Sequence, residues 1–409
     1  MAKRHREKQK SIMRGGGNRL VFYVKGTDWL TLLLCLCASA CGLVLVHSAT
    51  LRSIPEDGGM FSRDTVMMAV SVALGVMLAL LMSFLDYELM LRFWFVIAGG
   101  CLLLMLMLIP FGWAPENRAD AKSWLTLPIP GFEMNLQPSE LLKIGFIISF
   151  TWHLHRVQGG INKLLNIAML GVHAMIPFGL VILTGDLGSA LVFLCITAGM
   201  LFLAGLKLRF FAAMAALAGA AAPVLWVTAL STFQKERVYA VYARDMLTEE
   251  SYEKVIHQQQ RAQYAIGSGQ LFGKGLFRGD YTQSGAVPVN ESDMIFSVAG
   301  EELGFVGAAA LLLLLALLII RLVRVSSRTR NTRARLLCGG VALMIGAQAV
   351  INIGMCLKLL PVIGITLPFF SAGGSSNLCL YLTIGLVLTV FRHQNEHEDT
   401  QSYFDYLYS

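Results

Sequence analysis

The chain has 409 residues, of which 56% are hydrophobic and only 14% are charged. Soluble globular proteins carry about 25% charged residues, so this composition excludes a soluble enzyme and indicates a membrane protein. The net charge of +7 does not indicate nucleic-acid binding, because most Lys and Arg residues lie in short segments beside apolar runs, as membrane topology requires.

Apolar runs of about 18 residues or more predict membrane-spanning helices, because a bilayer core of about 30 Å needs about 20 helical residues. The chain contains ten such runs, which predict an all-α polytopic membrane protein with ten transmembrane helices. Their approximate bounds are 29–49, 66–85, 91–111, 139–155, 164–183, 187–206, 209–231, 303–323, 334–355 and 374–391.

The distribution of basic residues predicts the orientation of these spans, because short cytoplasmic loops are rich in Lys and Arg. A cytoplasmic N-terminus places the most basic loops inside, and the even number of spans returns the C-terminus to the cytoplasm. Residues 232–292, between helices 7 and 8, then form one large extracellular loop. The predicted organisation is a basic cytoplasmic tail, a ten-helix membrane domain and a cytoplasmic C-terminal tail, at residues 1–27, 28–392 and 393–409.

The fourth span opens with Gln137-Pro-Ser-Glu140-Leu-Leu-Lys143. Pro138 suits the first helical position and Glu140 suits the first turn, where the helix dipole favours an anion. Glu140 and Lys143 are three residues apart, so they share a helix face and can form an ion pair. One interpretation is a capped helix with a satisfied ion pair. The other is a functional pair, because a lysine one turn inside an apolar run should face a polar cavity.

Two further outward segments carry candidate binding residues. Lys122 and Trp124 lie just before the fourth span, where Trp124 can act as an interface anchor, the commoner role, or stack on a sugar. Asp186 opens the sixth span and fits a helix N-cap, which is favoured over a binding role on chemistry alone.

The predicted extracellular loop contains a glycine-rich stretch at residues 265–275 that resembles a phosphate-binding P-loop. That interpretation fails, because GxxxxGK[ST] needs glycine at Ser268 and a hydroxyl residue at Gly275. Glycine-rich backbone can still approach a ligand closely. Arg261 and Lys274 are therefore candidate partners for a phosphate group.

Residues 289–305 close the same loop and bring acidic side chains to the lip of the eighth span. Carboxylates are expensive at a membrane boundary, which makes them functional-site candidates. Asn290 or Ser292 is predicted to cap a helix whose first turn contains Asp293. The structural interpretation is a carboxylate that complements the helix dipole, and the functional one is that Asp293 is the reactive group.

The segment before the last span, residues 360–376, is rich in Gly, Pro and Ser and includes Ser371. Irregular backbone at membrane depth is tolerated only when it is buried in protein or lines a cavity. The Asn352-Ile-Gly-Met motif and this segment are therefore predicted to be buried in protein or to line a cavity.

In combination these motifs resemble the SEDS family (shape, elongation, division and sporulation), whose members include RodA, FtsW and SpoVE. The resemblance runs from about Trp29 to Arg392. The chain departs from the family pattern at Thr184-Gly185, around Arg118, and at Ala372. The matching motifs, in chain order, are Lys-Ser-Trp at 122–124, QPSExxK at 137–143, DLGSA at 186–190, AIGSGxLxGKG at 265–275, ESDxIFSVxGEELGF at 291–305 and NIGM…LLPVxGIxLPFFSxGGSS at 352–376.

The resemblance implies a peptidoglycan glycosyltransferase that polymerises lipid II, a disaccharide-peptide carried on undecaprenyl diphosphate, at the outer face of the bacterial cytoplasmic membrane. The essential aspartate of the family falls at Asp293, which we predict to be the general base. The sequence of the C-terminal motif favours a RodA-like elongation role over an FtsW or SpoVE role. The candidate substrate-binding residues are Lys122, Trp124, Glu140, Lys143, Asp186, Arg261, Lys274 and Ser371.

The expected partners are a class B penicillin-binding protein, which is a transpeptidase, other elongasome or divisome proteins, and membrane lipids. A divalent cation, Mg²⁺ or Mn²⁺, could stabilise the leaving diphosphate, and no organic cofactor is expected. Two rival functions stay open from the sequence. A lipid II flippase or transporter fits the ten spans equally well, and a scaffold that recruits partners is compatible with an enzyme.

Overall fold

The structure is a computed structural model, and it describes residues 26–54, 59–114, 121–129, 132–228 and 230–408. The predicted basic tail lies outside the described residues up to residue 25, as does Arg118. The helices before the fourth predicted span are α1 (Trp29–Thr50), α2 (Arg63–Met82), α3 (Tyr87–Arg92) and α4 (Trp94–Phe111). A hairpin of strands β1 (Leu125–Ile129) and β2 (Phe132–Leu136) follows them.

Each of the ten predicted spans coincides with a helix of the structure. The chain continues with α5 (Pro138–Arg156), α6 (Leu164–Leu183), α7 (Leu187–Leu203), α8 (Leu208–Thr228), α9 (Thr232–Tyr242), α10 (Glu249–Ser268), α11 (Asp280–Gln283), α12 (Ile295–Arg328), α13 (Thr332–Cys356) and α14 (Gly374–Tyr408). Within the described residues, eight helices are long and apolar enough to cross a membrane, and α5 and α7 are the predicted spans outside that set. The helical, multi-spanning class is confirmed, while the count of ten stays a prediction.

The centre of the bundle consists of α13 and α14. In an apolar stretch of 18 residues, 72% of the residues are buried in α13 and 78% in α14, whereas none are buried in the corresponding stretch of α8. Helix α14 runs along α2, where a Cβ atom on Gly75 would lie 2.8 Å from Cβ of Tyr381. The missing side chain at Gly75 therefore permits the close approach of these two helices.

The predicted extracellular loop is largely helical, because α9, α10 and α11 occupy much of residues 232–292. The start of α9 is a capping box in which Ser231 and Gln234 each bond the backbone N–H of the other. This S-x-x-Q pattern is a local helix signal that the polar composition conceals. Helix α10 begins with a simpler N-cap, in which the Thr248 hydroxyl accepts from the N–H of Ser251 without a reciprocal bond.

A second departure from the prediction is the hairpin, which adds two antiparallel strands to an otherwise helical fold. Its register pairs Leu125 with Leu136 and Ile129 with Phe132. Because β2 ends one residue before Gln137, the hairpin leads directly into the cap of α5 and lies beside the start of α14.

Helix α12 begins eight residues before the predicted span and is interrupted at Gly304, where φ is +67° and ψ is −169°. A Cβ atom at this position would lie 2.2 Å from the backbone nitrogen of Gly273. The break lets Phe305 donate its N–H to the carbonyl of Gln270 at 2.8 Å. Residues 295–303 therefore form a short outer arm that docks the segment following α10.

Candidate active site

Asp293 lies in a turn immediately before α12, and its side chain is 8% exposed. The prediction that Asn290 or Ser292 caps the helix is wrong, because the N-cap is Met294 and no side chain caps it. The turn closes on Val289, whose carbonyl accepts from the N–H groups of Ser292 (3.3 Å) and Met294 (3.2 Å). The carboxylate is therefore held by a turn and not by helix geometry.

Three successive backbone carbonyls of this turn are tied to one wall of the bundle. The N–H of Ala372 donates to the Glu291 carbonyl at 2.8 Å. The Ser371 hydroxyl donates to the Ser292 carbonyl at 2.6 Å, and the Asn352 amide donates to the Asp293 carbonyl at 2.8 Å. These bonds fix the main chain on both sides of the acid and leave its carboxylate to other partners. The one side-chain bond to it in the described structure comes from the Ser292 hydroxyl at 3.2 Å.

Ser371, a predicted substrate-binding residue, is buried within this wall. Its hydroxyl donates to Ser292 and accepts from the N–H of Leu367 at 2.8 Å. Its one proton is therefore used, so this hydroxyl could donate to a substrate only by giving up its bond to Ser292. The structure thus assigns Ser371 a supporting role next to Asp293, and its contact with substrate stays a prediction.

Asp186 is confirmed as the N-cap of α7, since its carboxylate accepts from the N–H of Ser189 at 3.0 Å. The same buried carboxylate accepts from the Gln137 side-chain amide at 2.9 Å. The backbone N–H of Gln137 in turn donates to the Ser375 hydroxyl at 3.3 Å. Asp186 therefore ties the start of α5 to the start of α7, and Gln137 links both to the segment that carries Ser371.

Glu140 and Lys143 form the predicted ion pair, with 2.6 Å between Nζ and Oε1. Lys143 is fully buried and Glu140 is 5% exposed. Charges buried this deeply persist only when they are paired, so each side chain needs the other. Because both side chains are buried, a substrate group can reach either charge only if the surrounding structure moves.

Lys122 and Trp124 lie at the entrance to the hairpin. Lys122 is exposed and Trp124 is half-buried. Trp124 pairs its backbone with Trp113 through bonds of 3.0 and 3.3 Å in an isolated bridge. The bridge anchors the main chain of Trp124 to the segment that follows α4.

Lys274 lies in the segment after α10, where two carboxylates of the chain itself bind it. Its ammonium is 2.7 Å from Asp280 and 3.5 Å from Glu301. The hydrogen bond to Asp280 is the main reason that the pKa of Lys274 is raised above its usual value. Arg261, on α10, is half-buried, and no carboxylate of the described residues lies within ion-pair distance of it.

The acidic side chains of residues 289–305 divide between two roles. Glu301 is fully buried and accepts from the N–H groups of Tyr281 and Thr282, both at 2.8 Å. Glu302 is also buried and accepts from the Ser48 hydroxyl at 2.6 Å. These two carboxylates stabilise the docked outer segment. Because Glu301 and Glu302 have these structural contacts, the acidic side chains in the turn before α12 are the ones of residues 289–305 that remain available for chemistry.

Glu291 and Asn352 are two residues near the acid that were not among the candidate site residues. Burial raises the pKa of Glu291, and the nearby carboxylates of Asp64 and Asp293 raise it further. The spacing of Glu291, two residues before Asp293 in the same turn, is the sequence signal that could have identified it. For Asn352 the signal is a primary amide near the C-terminal end of a buried apolar helix.

The candidate metal ligands of the described residues were compared by their clustering in the structure. Across the described ranges, no three His, Cys, Asp or Glu side chains cluster in a way that could hold a metal ion. The expected divalent cation therefore stays a prediction, and no step of the chemistry below depends on it.

Comparison with known proteins gives consistent matches over nearly the whole chain. A family model for FtsW, RodA and SpoVE, described as cell cycle protein, matches residues 28–396. The chain is 32% identical over 379 residues to the probable peptidoglycan glycosyltransferase FtsW of Trichlorobacter lovleyi, which covers 91% of this chain and 95% of that protein. It is 30% identical over 384 residues to the peptidoglycan glycosyltransferase MrdB of Escherichia coli, with coverage of 93% and 98%.

Two solved structures share the fold. One is a chain of a peptidoglycan synthase complex described as coordinating polymerization and crosslinking, with a TM-score of 0.72, 29% identity and coverage of 90% and 98%. The other is the rod shape determining protein RodA of Thermus thermophilus, with a TM-score of 0.64, 28% identity and coverage of 90% and 97%. Because relatives of both the FtsW and the RodA type match at similar identity, the RodA-like role stays a prediction.

Proposed function

Because the chain belongs to the FtsW, RodA and SpoVE family of cell cycle proteins, we propose that it is a peptidoglycan glycosyltransferase of the cytoplasmic membrane. Its substrate in this proposal is lipid II, which it polymerises into glycan strands at the outer face. Its partner is a class B penicillin-binding protein, since a related chain belongs to a complex that both polymerises and crosslinks.

The observation that carries the proposal is the placement of Asp293. Its carboxylate lies at the start of a membrane-length helix, is 8% exposed, and accepts no bond from a cationic side chain of the described residues. A carboxylate left without a cation in such a place has no evident structural task. That arrangement suits a general base, which must be free to accept a proton from its substrate.

The proposed reaction is a displacement at the anomeric carbon of the donor sugar. A hydroxyl of the acceptor sugar forms the new C–O bond as Asp293 takes its proton. The bond between the anomeric carbon and the phosphate oxygen breaks, and undecaprenyl diphosphate leaves with the electron pair. In-line attack inverts the α-linked donor to a β-linked product.

The leaving diphosphate needs cationic stabilisation, and the four candidate cations differ in how freely they can supply it. Lys143 is buried in its pair with Glu140, whereas Lys274 is bound mainly by the exposed Asp280. Arg261 and Lys122 have no carboxylate partner among the described residues. We therefore favour Arg261 and Lys122 as the first diphosphate contacts, with Lys274 able to join them by exchanging Asp280.

The test is a polymerisation assay on the full-length chain, co-purified with its transpeptidase partner. Labelled lipid II is added with the transpeptidase chemically blocked, and the products are separated on a gel. Glycan ladders from wild type and none from Asp293→Ala support a polymerase that depends on this acid. Ladders from both place the base elsewhere. No ladders from either, in a folded complex, favour lipid II flipping, which a liposome assay would then measure.

A further inference from the structure

Asn352, on α13, donates the shorter of two side-chain hydrogen bonds from that helix to the backbone carbonyl of the proposed base. It is fully buried, and its amide nitrogen lies 2.8 Å from the carbonyl oxygen of Asp293 and 2.7 Å from that of Ile365. Both partners are carbonyls, which only accept hydrogen bonds, so both amide protons of Asn352 are used. The side chain has no proton left for a substrate.

The carbonyl of Asp293 itself has few other partners, whereas the carbonyls of Glu291 and Ser292 just before it are bonded by Ala372 and Ser371. Asp293 precedes the first residue of α12, so the regular bonds of that helix do not set its position. Val289, which closes the turn, has φ of +56°, an unfavourable value for a β-branched residue. The remaining contact of the Asp293 carbonyl is the Cys356 thiol at 3.7 Å, and a thiol is a weak donor.

From this geometry we infer that Asn352 is a positioning residue for the glycosyl transfer. Its hydrogen bond fixes the position of the Asp293 main chain relative to α13. The inference rests on the proposed function. One amide connects three elements: the C-terminal part of α13, the turn that carries the base, and the irregular segment at Ile365. A shift of the Asp293 main chain would move its carboxylate away from the attacking hydroxyl without changing the groups that bind the lipid.

The chain provides a matched control in Gln259 on α10. This amide is 2% exposed and also donates to two backbone carbonyls, those of Met355 at 2.9 Å and Leu360 at 2.7 Å. It joins the same helix α13 to the same irregular segment, but it has no contact with Asp293. If breaking such a bridge were by itself enough to lower kcat, Gln259→Leu and Asn352→Leu should therefore lower it equally.

The experiment measures kcat and KM for labelled lipid II with the full-length chain and its partner, per folded molecule. We expect Asn352→Leu to lower kcat by roughly tenfold to a hundredfold with KM within about threefold of wild type, because misplacing a reacting group costs that much. Gln259→Leu should keep kcat within about threefold of wild type. Asn352→Ser, which leaves a short donor and a small cavity, serves if Asn352→Leu does not fold, and the same kcat loss is expected.

The inference is overturned if Asn352→Leu, or Asn352→Ser in its place, retains wild-type kcat, or loses no more than Gln259→Leu. A rise of KM of similar size, with kcat unchanged, would also overturn the inference, because it would show that Asn352 contributes to substrate binding. Asp293→Ala is run in parallel. If that variant stays active, the proposed role of the base has failed; if it is inactive while the Asn352 variants are unaffected, only the positioning role has failed.

Discussion

Lys143 and Glu140 form an ion pair of 2.6 Å whose side chains are 0% and 6% exposed. The pair lies in the first two turns of α5, close to the Asp186 cap that joins α5 to α7. Its burial means that the two charges hold each other in place and that neither can be removed alone without leaving the other unpaired.

Removing one charge of this pair should lower the free energy of unfolding much more than removing both charges. We expect Lys143→Met to lower the free energy of unfolding by about 3–5 kcal/mol, because it strands a buried carboxylate. The double variant Glu140→Gln, Lys143→Met should cost less than the sum of its single variants. Denaturant unfolding in detergent micelles measures both. Glu249→Gln in the exposed pair with Arg244 is the control and should cost about 0–1 kcal/mol; additive single effects at Glu140 and Lys143 would contradict the expectation.

Asp186→Ala removes both a helix cap and the partner of the Gln137 amide. The lost cap costs about 0.5–2 kcal/mol, and a half-buried donor left unpaired adds about 1–3 kcal/mol. Thr248→Ala on α10 removes an exposed cap without a second bond, and we expect only the cap term there. Unfolding free energies of the two variants are compared under the same conditions. Equal losses would show that the Gln137 bond contributes nothing.

Gly304→Ala should disrupt the outer arm of α12. The backbone there has φ of +67° and ψ of −169°, a region that only glycine adopts readily, so strain alone costs about 1–3 kcal/mol. The added Cβ atom would also lie 2.2 Å from the nitrogen of Gly273. We expect a lower melting temperature and faster proteolysis of residues 269–285. Gly346→Ala in α13, where a Cβ atom meets nothing within 4 Å, should be neutral or stabilising and serves as the control.

Glu291 should make stability depend on pH. Its pKa is raised in the folded protein, so its favourable contribution is complete below the ordinary value of 4.5 and is lost as pH rises through the folded pKa. Glu291→Gln removes the charge that burial and Asp64 disfavour. The variant should therefore melt at a higher temperature than wild type near neutral pH, and the difference should shrink as the pH falls toward 4.5. A difference independent of pH would refute this account.

Several features of this protein are local and could be predicted from the sequence. The apolar runs identify the membrane helices, because a bilayer requires a length and a composition that are visible in each run. The Glu140–Lys143 pair follows from a spacing of three on one helix, and the Asp186 cap follows from a carboxylate at a helix start. Even the missed helix α9 has a local signal, in its capping box at Ser231.

The environment of Asp293 required the tertiary structure. Its carbonyl meets Asn352, 59 positions later, and its neighbour Ser292 meets Ser371, 79 positions later. The sequence shows each of these polar residues but not which of them face one another, because the pairing depends on how α12, α13 and the segment before α14 pack. Glu301 and Glu302 illustrate the same limit. Only their contacts with Thr282 and Ser48 show that these two carboxylates have structural roles and are not the reactive acid. Residue type and spacing along one helix therefore determined the spans and their caps, and packing between distant segments decided which carboxylate was left for chemistry.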